Sequence, residues 1–399
     1  MGRRTVIDSV GVGYSIVPEA EAAGYAAVRM ALDAAGLSQA EHLFLFATTH
    51  YGSAWPALLA TAQQTAGARS LVGCSGMGVL TSAGEIEGGP AVAVMALDSD
   101  SVRVVPYLAR PTETDNDLSR SILREVGGRA QEGSLLMALP DVFNLRPAQL
   151  VQQLSAGLAD VPIVGGAASG EASSPQTFQW LNNQVSSRGV AGALVWGDFS
   201  LAIGVAQGCT PIGQPSIITK AQANVIMEIA GRPALQAIRE TLETLPAEEV
   251  ERAKGSLFAG LVIDEKQDLH GRGDFLIRNI AGVDPKSGAV AVGEIVRPGQ
   301  TFQLHLRDGR SAREDMEMTL VKLAEVTRDN PPSFGLYFNC LGRGKGLYGE
   351  LNHDVEAINQ ALGDVPIVGF FGNAELAPVR GRNLVHNYTG VLVLFCLEQ

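Results

Sequence analysis

Arg343, Cys340, Cys74 and three glutamates, Glu85, Glu171 and Glu375, are the side chains of this 399-residue sequence whose types and placing could do chemistry. Arg343 lies in Gly342-Arg-Gly-Lys-Gly, where the glycines let a ligand approach the backbone and a guanidinium can grip a carboxylate with two parallel hydrogen bonds. A solvent-facing loop arginine is the equal alternative. Cys74 and Cys340 each close an expected strand beside a Gly-rich loop. Arg343, three residues after Cys340, can lower that thiol's pKa, and His386 can act as its base. A cysteine hydrolase or acyltransferase is therefore one reading. The other makes both thiols small apolar fillers, since free cysteine is among the most buried residue types. Each glutamate can receive an ammonium group or lie solvated in a loop.

Other motifs fail on their neighbours. The six histidines, His42, His50, His270, His305, His353 and His386, include no pair four apart on a helix and no familiar ligand spacing, so no metal is expected. Gly165-Gly-Ala-Ala-Ser-Gly follows a strand as a dinucleotide loop would, yet Glu171-Ala-Ser-Ser-Pro follows it where a helix N-terminus is needed. Gly342-Arg-Gly-Lys-Gly lacks the Ser or Thr that a P-loop places after Lys345. No cofactor is implied, and no residue is assigned a catalytic role.

The elements that must hold these residues recur. Asn339 to Phe395 parses as strand end, Gly-rich loop, helix, buried strand, polar loop and final strand. Asn352 or Asp354 can cap the helix, Val355, Ile358 and Leu362 give it an inward stripe, and Gly363 can end it. An upstream copy has a strand at Leu43–Thr48, a helix opened by Ser53 and Pro56 and closed by Gly67, a strand end at Leu71–Ser75 and a buried strand at Ala91–Leu97. A second has a strand at Ser134–Leu139, a helix from Arg146, a strand at Val161–Gly166 and a buried strand at Val190–Trp196. Gly73, Gly165 and Gly369 mark one place in all three, 165 − 73 = 92 and 369 − 165 = 204 residues apart, so the wider gap holds an insertion of about one more unit. Glu171 and Glu375 each follow their glycine by six positions and Glu85 follows Gly73 by twelve, which makes the three acids expected equivalents. The candidate ligand-binding residues are Gly73, Cys74, Ser75 and Glu85 in the first copy and Gly165, Gly166, Ser169 and Glu171 in the second. The third contributes Asn339, Cys340, Arg343, Gly369, Phe371, Asn373, Glu375, His386 and Asn387. Phe370 and Phe371 alternate along a strand, so one is expected in the core and the other toward the cleft. The strand-end glycine turns are expected to converge and to leave a polar hollow between them.

Around the copies, Val6–Val12 reads as a strand, Glu19–Ala35 as an alanine-rich helix ended by Gly36, Val102–Leu108 as a strand and Asp117–Val126 as a helix. After Gly208 the pattern turns to strands, with a hairpin over Ile217–Ile229 and runs at Leu257–Ile263, Phe275–Ile280, Val290–Val296 and Thr301–Leu306. Pro233 opens a helix within this region, and Ser311 with Glu314 makes a capping box for a helix carrying Met316, Leu320 and Leu323. The expected fold is α/β, with mixed sheets built on strand–helix–strand–strand units and a mainly β insertion near 210–310. The expected domains are residues 1–208 and 209–399. With 42 acidic against 30 basic residues the net charge is −12, which repels phosphate backbones and points away from nucleic acid. Four scattered cysteines fit a reducing compartment. Asp8 breaks the apolar core that a signal peptide starting at Arg3 and Arg4 would need, and no apolar run is long enough to span a bilayer. A cytoplasmic protein without membrane insertion is expected.

These residues carry a resemblance. Leu71-Val-Gly-Cys-Ser with Gly84-Glu-Ile-Glu, Leu139-Pro-Asp, Val161-Pro-Ile-Val-Gly-Gly-Ala-Ala-Ser-Gly and Gln207-Gly-Cys-Thr-Pro-Ile-Gly resemble the FIST N domain and its junction. Phe275-Leu-Ile-Arg-Asn-Ile, Asn339-Cys-Leu-Gly-Arg-Gly, Pro366-Ile-Val-Gly-Phe-Phe-Gly-Asn-Ala-Glu and His386-Asn-Tyr-Thr are similar to the FIST C domain. The resemblance implies a prokaryotic intracellular sensory module that binds small ligands, with amino acids the suggested class. Without an attached kinase, cyclase or chemoreceptor segment, such a chain is expected to signal through a separate protein or not to signal at all; homo-oligomerisation stays open. A zwitterion suits the residues: strand-end N–H groups with Arg343 can hold its carboxylate, and one of the three glutamates its ammonium.

Overall fold

The computed structural model describes residues 8–112, 117–171, 173–267 and 269–398; Val6 and Ile7 of the first expected strand lie outside them. Three copies of one pattern account for most of the chain. The first runs β1 (Asp8–Ser15), α1 (Ala20–Ala35), β2 (His42–Thr48), α2 (Trp55–Ala66), β3 (Ser70–Gly76), the hairpin β4 (Gly78–Thr81) and β5 (Gly84–Glu87), and β6 (Val92–Ser99). The second runs β7 (Val102–Ala109), α3 (Leu118–Val126), β8 (Leu135–Pro140), α4 (Pro147–Gly157), β9 (Ile163–Ala167), the hairpin β10 (Gln179–Leu181) and β11 (Gln184–Ser186), and β12 (Val190–Gly197). The third opens with β13 (Phe199–Ala206) and is interrupted. The interruption holds β14 (Thr210–Gln222), β15 (Val225–Ile229), β16 (Arg232–Pro233), α5 (Ala234–Glu243), α6 (Ala247–Ala253), β17 (Leu257–Val262), β18 (Phe275–Asp284), β19 (Ala289–Val292) and β20 (Thr301–Leu306). The third copy resumes with α7 (Gly309–Val326), β21 (Phe334–Cys340), α8 (Gly344–Tyr348), α9 (His353–Leu362), β22 (Ile367–Gly372), the hairpin β23 (Ala374–Val379) and β24 (Arg382–His386), and β25 (Gly390–Leu397).

Local chemistry fixes the helices. Gly36 and Gly67 adopt left-handed caps after α1 and α2, and Pro56 sits in the first turn of α2. The α1 helix lies against β1 so closely that a Cβ on Gly11 would stand 2.2 Å from the Ala31 carbonyl oxygen, and one on Gly13 2.3 Å from that of Ala27.

Each copy makes a six-stranded mixed sheet, and each sheet borrows its last two strands. The orders are β1-β6-β2-β3-β10-β11, β7-β12-β8-β9-β23-β24 and β13-β25-β21-β22-β4-β5. In all three, the central pair, β2 with β3, β8 with β9 and β21 with β22, is parallel, while β6, β12 and β25 run antiparallel to the first strand of that pair. The hairpin of the second copy completes the first sheet, that of the third the second, and that of the first the third. This exchange closes a ring. Backbone N–H groups of Met77, Ser169 and Asn373, each four residues after its copy's glycine, donate to the carbonyls of Phe371, Ser75 and Ala167, each two residues after the glycine of another copy. The copies are thus related by a pseudo-threefold arrangement.

Gly73, Gly165 and Gly369 lie inside strands, where their expected place was a strand-end turn. A Cβ on them would come 1.6 Å from Leu45 O, 2.0 Å from Ala138 O and 1.8 Å from Tyr337 O, so glycine is what lets the parallel partner approach. The volume expected to be a polar hollow is an apolar core. Phe46, Met137, Val164, Phe338 and Phe370 belong to it, with Phe46 stacked on Phe370 at 4.8 Å. Two further cores lie between helices and sheets, one with α1 and α2 and one with α3 and α4.

By contact density the chain forms two compact units, one of residues 1–205, 319–385 and 389–399, the other of residues 206–318 and 386–388. The second is a barrel: β14 pairs with both β20 and β15, which closes the order β14-β20-β17-β18-β19-β15. Its core holds Ile212, Ile218, Ile226, Leu261, Val290 and Leu304. At the start of α7 the expected Ser311–Glu314 box is replaced. Asp308 accepts the Ser311 backbone N–H at 2.8 Å, and Glu314 pairs with Arg272 and Arg310.

Candidate functional site

β21 ends in Tyr337-Phe-Asn-Cys, all buried, and Leu341–Arg343 turns the chain back into α8 and α9. That reversal carries Arg343 inward, where it is 1% exposed. Its Nε and Nη2 donate to Asp354 Oδ2 and Oδ1, each at 3.0 Å, so the guanidinium is neither the solvent-facing group nor the open anion clamp anticipated from the glycines. Asp354, in the first turn of α9, also accepts from Tyr337 (2.9 Å), Tyr348 (2.8 Å) and the Asn339 side chain (3.1 Å). Five donors on one carboxylate offset its desolvation. Burial works to raise the Asp354 pKa, yet Arg343 and the tyrosines hold it below the usual carboxylate range. Burial likewise opposes the charge on Arg343, and Asp354 more than compensates. The Tyr337 and Tyr348 hydroxyls are pushed up by burial and, for Tyr337, next by Asp354, so both stay protonated donors. The pair is internally neutral.

Two acids beside it are not so balanced. Glu85 reaches the cluster from β5, in the first copy's borrowed hairpin. Its backbone N–H donates to Asn352 Oδ1 at 2.8 Å, and its Oε1 accepts from Val355 N at 3.3 Å, while Oε2 is buried with no hydrogen-bond partner. Burial first and Asp354 second push its pKa up to about 7. Glu375, on β23, is 0% exposed. Its Oε2 accepts from Thr389 N (3.1 Å) and Thr389 Oγ1 (2.7 Å), and its Oε1 is buried with no hydrogen-bond partner. Burial pushes its pKa up to about 8, against the Thr389 bonds and the nearby Cys340 thiol, which favour the charged form. Both are acids whose ionisation the surroundings resist close to neutral pH, a state found more often at functional sites than elsewhere.

The remaining candidates divide. Ser75 and Ser169 belong to the ring: Ser75 Oγ donates to Ser169 O at 2.9 Å, and Ser169 Oγ accepts from Met77 N at 2.7 Å and donates to Phe371 O. Phe370 and Phe371 are both buried, so neither side chain faces a cleft. The Asn373 side chain donates to Ala168 O at 3.4 Å. Gly166 lies opposite Glu375 in the strand register. Cys74 is fully buried, which pushes its thiol well up. His386 is buried and Asn387 half-buried, both in the short segment assigned to the second unit. The three glutamates are not equivalents: Glu375 sits on the first strand of its hairpin, Glu85 on the second strand of its own, and Glu171 is exposed in a loop before β10.

Sequence reasoning misses Asp354 as a salt-bridge partner, Tyr337, Tyr348 and Thr389 as donors, and Glu87. Glu87, also on β5, accepts from Lys345 N at 2.9 Å, and its carboxylate fills the space that a Cβ on Gly344 would occupy. The one signal was charge: Arg343 and Asp354 lie eleven residues apart across a Gly-rich turn.

Fold and site together define a class: a three-copy α/β protein with exchanged hairpins and a barrel insertion, with a cluster of buried charges where the first copy's hairpin meets the third copy. Residues 41–232 match the family model of the FIST N domain and residues 234–378 that of the FIST C domain. The chain belongs to the FIST family, whose domains are associated with sensory signal transduction. An uncharacterized protein of Mycobacterium tuberculosis is 34% identical over 395 residues, covering 97% of this chain and 99% of its own length. One of Mycobacterium bovis is 32% identical over 389 residues, covering 97% and 98%. Among solved structures, a cyanuric acid hydrolase from A. caulinodans matches 49% of this chain and 72% of its own at 12% identity, with a TM-score of 0.27, too low to bear on function or fold. No helix of the described residues is long and apolar enough to cross a membrane.

Proposed function

We propose that this chain is a sensory protein that binds a small zwitterion, an amino acid or a molecule like it, at Glu85 and Glu375, the buried acids beside the third copy's Arg343–Asp354 pair, and signals through a separate partner protein. One observation carries the reading: Glu85 and Glu375 each keep a buried oxygen without a partner beside an Arg343–Asp354 pair that is already neutral. A buried carboxylate in that state is destabilising by about 1–3 kcal/mol or more unless a donor reaches it, and an ammonium group supplies both donors and charge. The ligand carboxylate is left to the Gly342–Gly346 turn and its exposed Lys345, because Asp354 holds the guanidinium. About nine heavy atoms at roughly 0.9 kcal/mol each give affinity near micromolar.

Titration calorimetry against the common amino acids tests this. The expected result is micromolar binding of a subset, weakened at least tenfold in Glu85→Gln or Glu375→Gln; no binding at millimolar concentration by any of them overturns it.

A second reading, a cysteine-dependent hydrolase or acyltransferase, has one observation in its favour, the Cys340 thiol next to the Glu375 carboxylate. Alkylation by iodoacetamide across pH separates the two: a nucleophile reacts well below pH 8, and a packed thiol reacts slowly at every pH tested.

A further inference from the structure

The three copies let the chain act as its own control at the position of Glu375. In each sheet, the residue after the repeat glycine faces the first strand of the borrowed hairpin: Cys74 faces Gln179, Gly166 faces Glu375 and Phe370 faces Val79. The surroundings correspond as well. Thr48 and Cys340 end the first parallel strand of their copies and Asp141 directly follows that of the second, and their N–H groups donate to the carbonyls of Ala91, Gly189 and Thr389.

In the second copy this position closes without a loose end. Gln179 Oε1 accepts from Gly189 N at 3.3 Å, Gln179 Nε2 donates to Thr177 Oγ1 at 2.7 Å, and Thr177 Oγ1 donates to Asp141 Oδ1 at 2.8 Å. In the first copy, valine removes the polar question, and Thr48 Oγ1 accepts from Ala91 N at 2.9 Å. The third copy keeps the backbone half of the arrangement, Thr389 N to Glu375 Oε2, and leaves the other half open. An isosteric glutamine is what this backbone accommodates when nothing but structure is required; an acid in its place is one donor short. Cys340 stands where the second copy has Asp141, and a thiol is too weak a donor to make good the difference.

We propose that Glu375 is the residue that selects the ligand, its Oε1 receiving a primary ammonium group that takes the place of the missing donor. This deepens the sensory reading and rests on it: of the two unsatisfied acids, Glu375 holds the deep ammonium end, while Glu85, whose Oε1 already faces the first turn of α9, borders the rest of the site. The class recognised is then primary amines, and a quaternary ammonium, which has no N–H, is rejected.

The test uses methylammonium as the probe and tetramethylammonium at equal ionic strength as the control, read by thermal shift on the full chain. Methylammonium is expected to raise the melting temperature of the unmodified chain and of Glu85→Gln. Tetramethylammonium has no such effect, and Glu375→Gln loses the response while staying folded, since Gln179 shows that glutamine fits. A response retained in Glu375→Gln, or an equal response to both salts, overturns the proposal. So does no response at all, the result expected if Oε1 meets only a buried water. Failure here and failure of the sensory reading are distinguishable: amino-acid binding that survives in Glu375→Gln but not in Glu85→Gln sinks the inference alone, and a selective methylammonium response without amino-acid binding sinks the reading alone.

Discussion

The Arg343–Asp354 pair is a place where one atom group decides the stability of its surroundings. Both side chains are 0% exposed, so removing either leaves a buried charge with only dipoles to face. Asp354→Asn is expected to destabilise by about 3–5 kcal/mol. Arg343→Met with Asp354→Leu, which removes both charges, should recover most of that loss in denaturant unfolding; equal loss in the single and double variants would show that the hydrogen bonds, not the charges, matter. Glu85 and Glu375 act in the opposite sense. Their folded-state pKa values, about 7 and about 8, stand above the ordinary 4.5, so the folded state holds their protons more tightly than the unfolded chain. The stability they contribute is complete below pH 4.5 and is lost as pH rises through 7 and 8, by an amount on the order of a few kcal/mol. Glu85→Gln and Glu375→Gln should therefore melt close to the parent at pH 5 and several degrees above it at pH 9; a difference that does not grow with pH would show that neither acid is buried as described. The sequence made Arg343 and both acids visible as chemistry. It could not show that Asp354 occupies the guanidinium, because that partner comes from the first turn of α9 and reads locally as a cap.

At the scale of elements, the parallel strand pairs were legible and the hairpins were not. A glycine at one place in each copy, a helix with caps and an apolar strand form a local signal, and all three units are present. The hairpins gave none, since β4, β10 and β23 are short and pair with strands of a different copy, β4 with β22 some 290 residues away. What stabilises them is not written near them. The repeat glycines are correspondingly intolerant: Gly369→Ala would set a Cβ 1.8 Å from Tyr337 O, and Gly73→Ala one 1.6 Å from Leu45 O, distances that only strand separation relieves. Both variants are expected to be insoluble or to melt far below the parent. Gly346→Ala, whose Cβ meets nothing within 4 Å, should change stability by less than about 1 kcal/mol. Normal melting of Gly369→Ala would mean that the β21–β22 pairing is looser than its register implies.

For the whole molecule, the excess of the second glycine interval over the first, 204 − 92 = 112 residues, anticipates the insertion of residues 206–318. The spacing was readable because copies keep their length while an insertion adds to it. The expected hollow does not form: three sheets whose inner faces carry Phe46, Met137 and Phe370 exclude water from between them, and the polar atoms withdraw to the strand ends. There the ring of backbone bonds joins the copies, and Ser169 ties it twice over. Its N–H donates to Ser75 O, and its hydroxyl stands between Met77 N and Phe371 O, so this one side chain touches both other copies. Removing the hydroxyl leaves a buried donor and a buried acceptor with poorer partners. Ser169→Ala is expected to destabilise by about 1–3 kcal/mol, while Ser173→Ala, on the exposed loop beside Glu171, should change nothing measurable. Because Ser169 acts on the closure among copies and on no single sheet, unfolding of the variant followed by circular dichroism and by tryptophan fluorescence, with Trp55 and Trp180 in the first sheet's helix-side core, should shift by the same amount. Two probes that separate would show that the copies unfold independently and that the ring does not couple them.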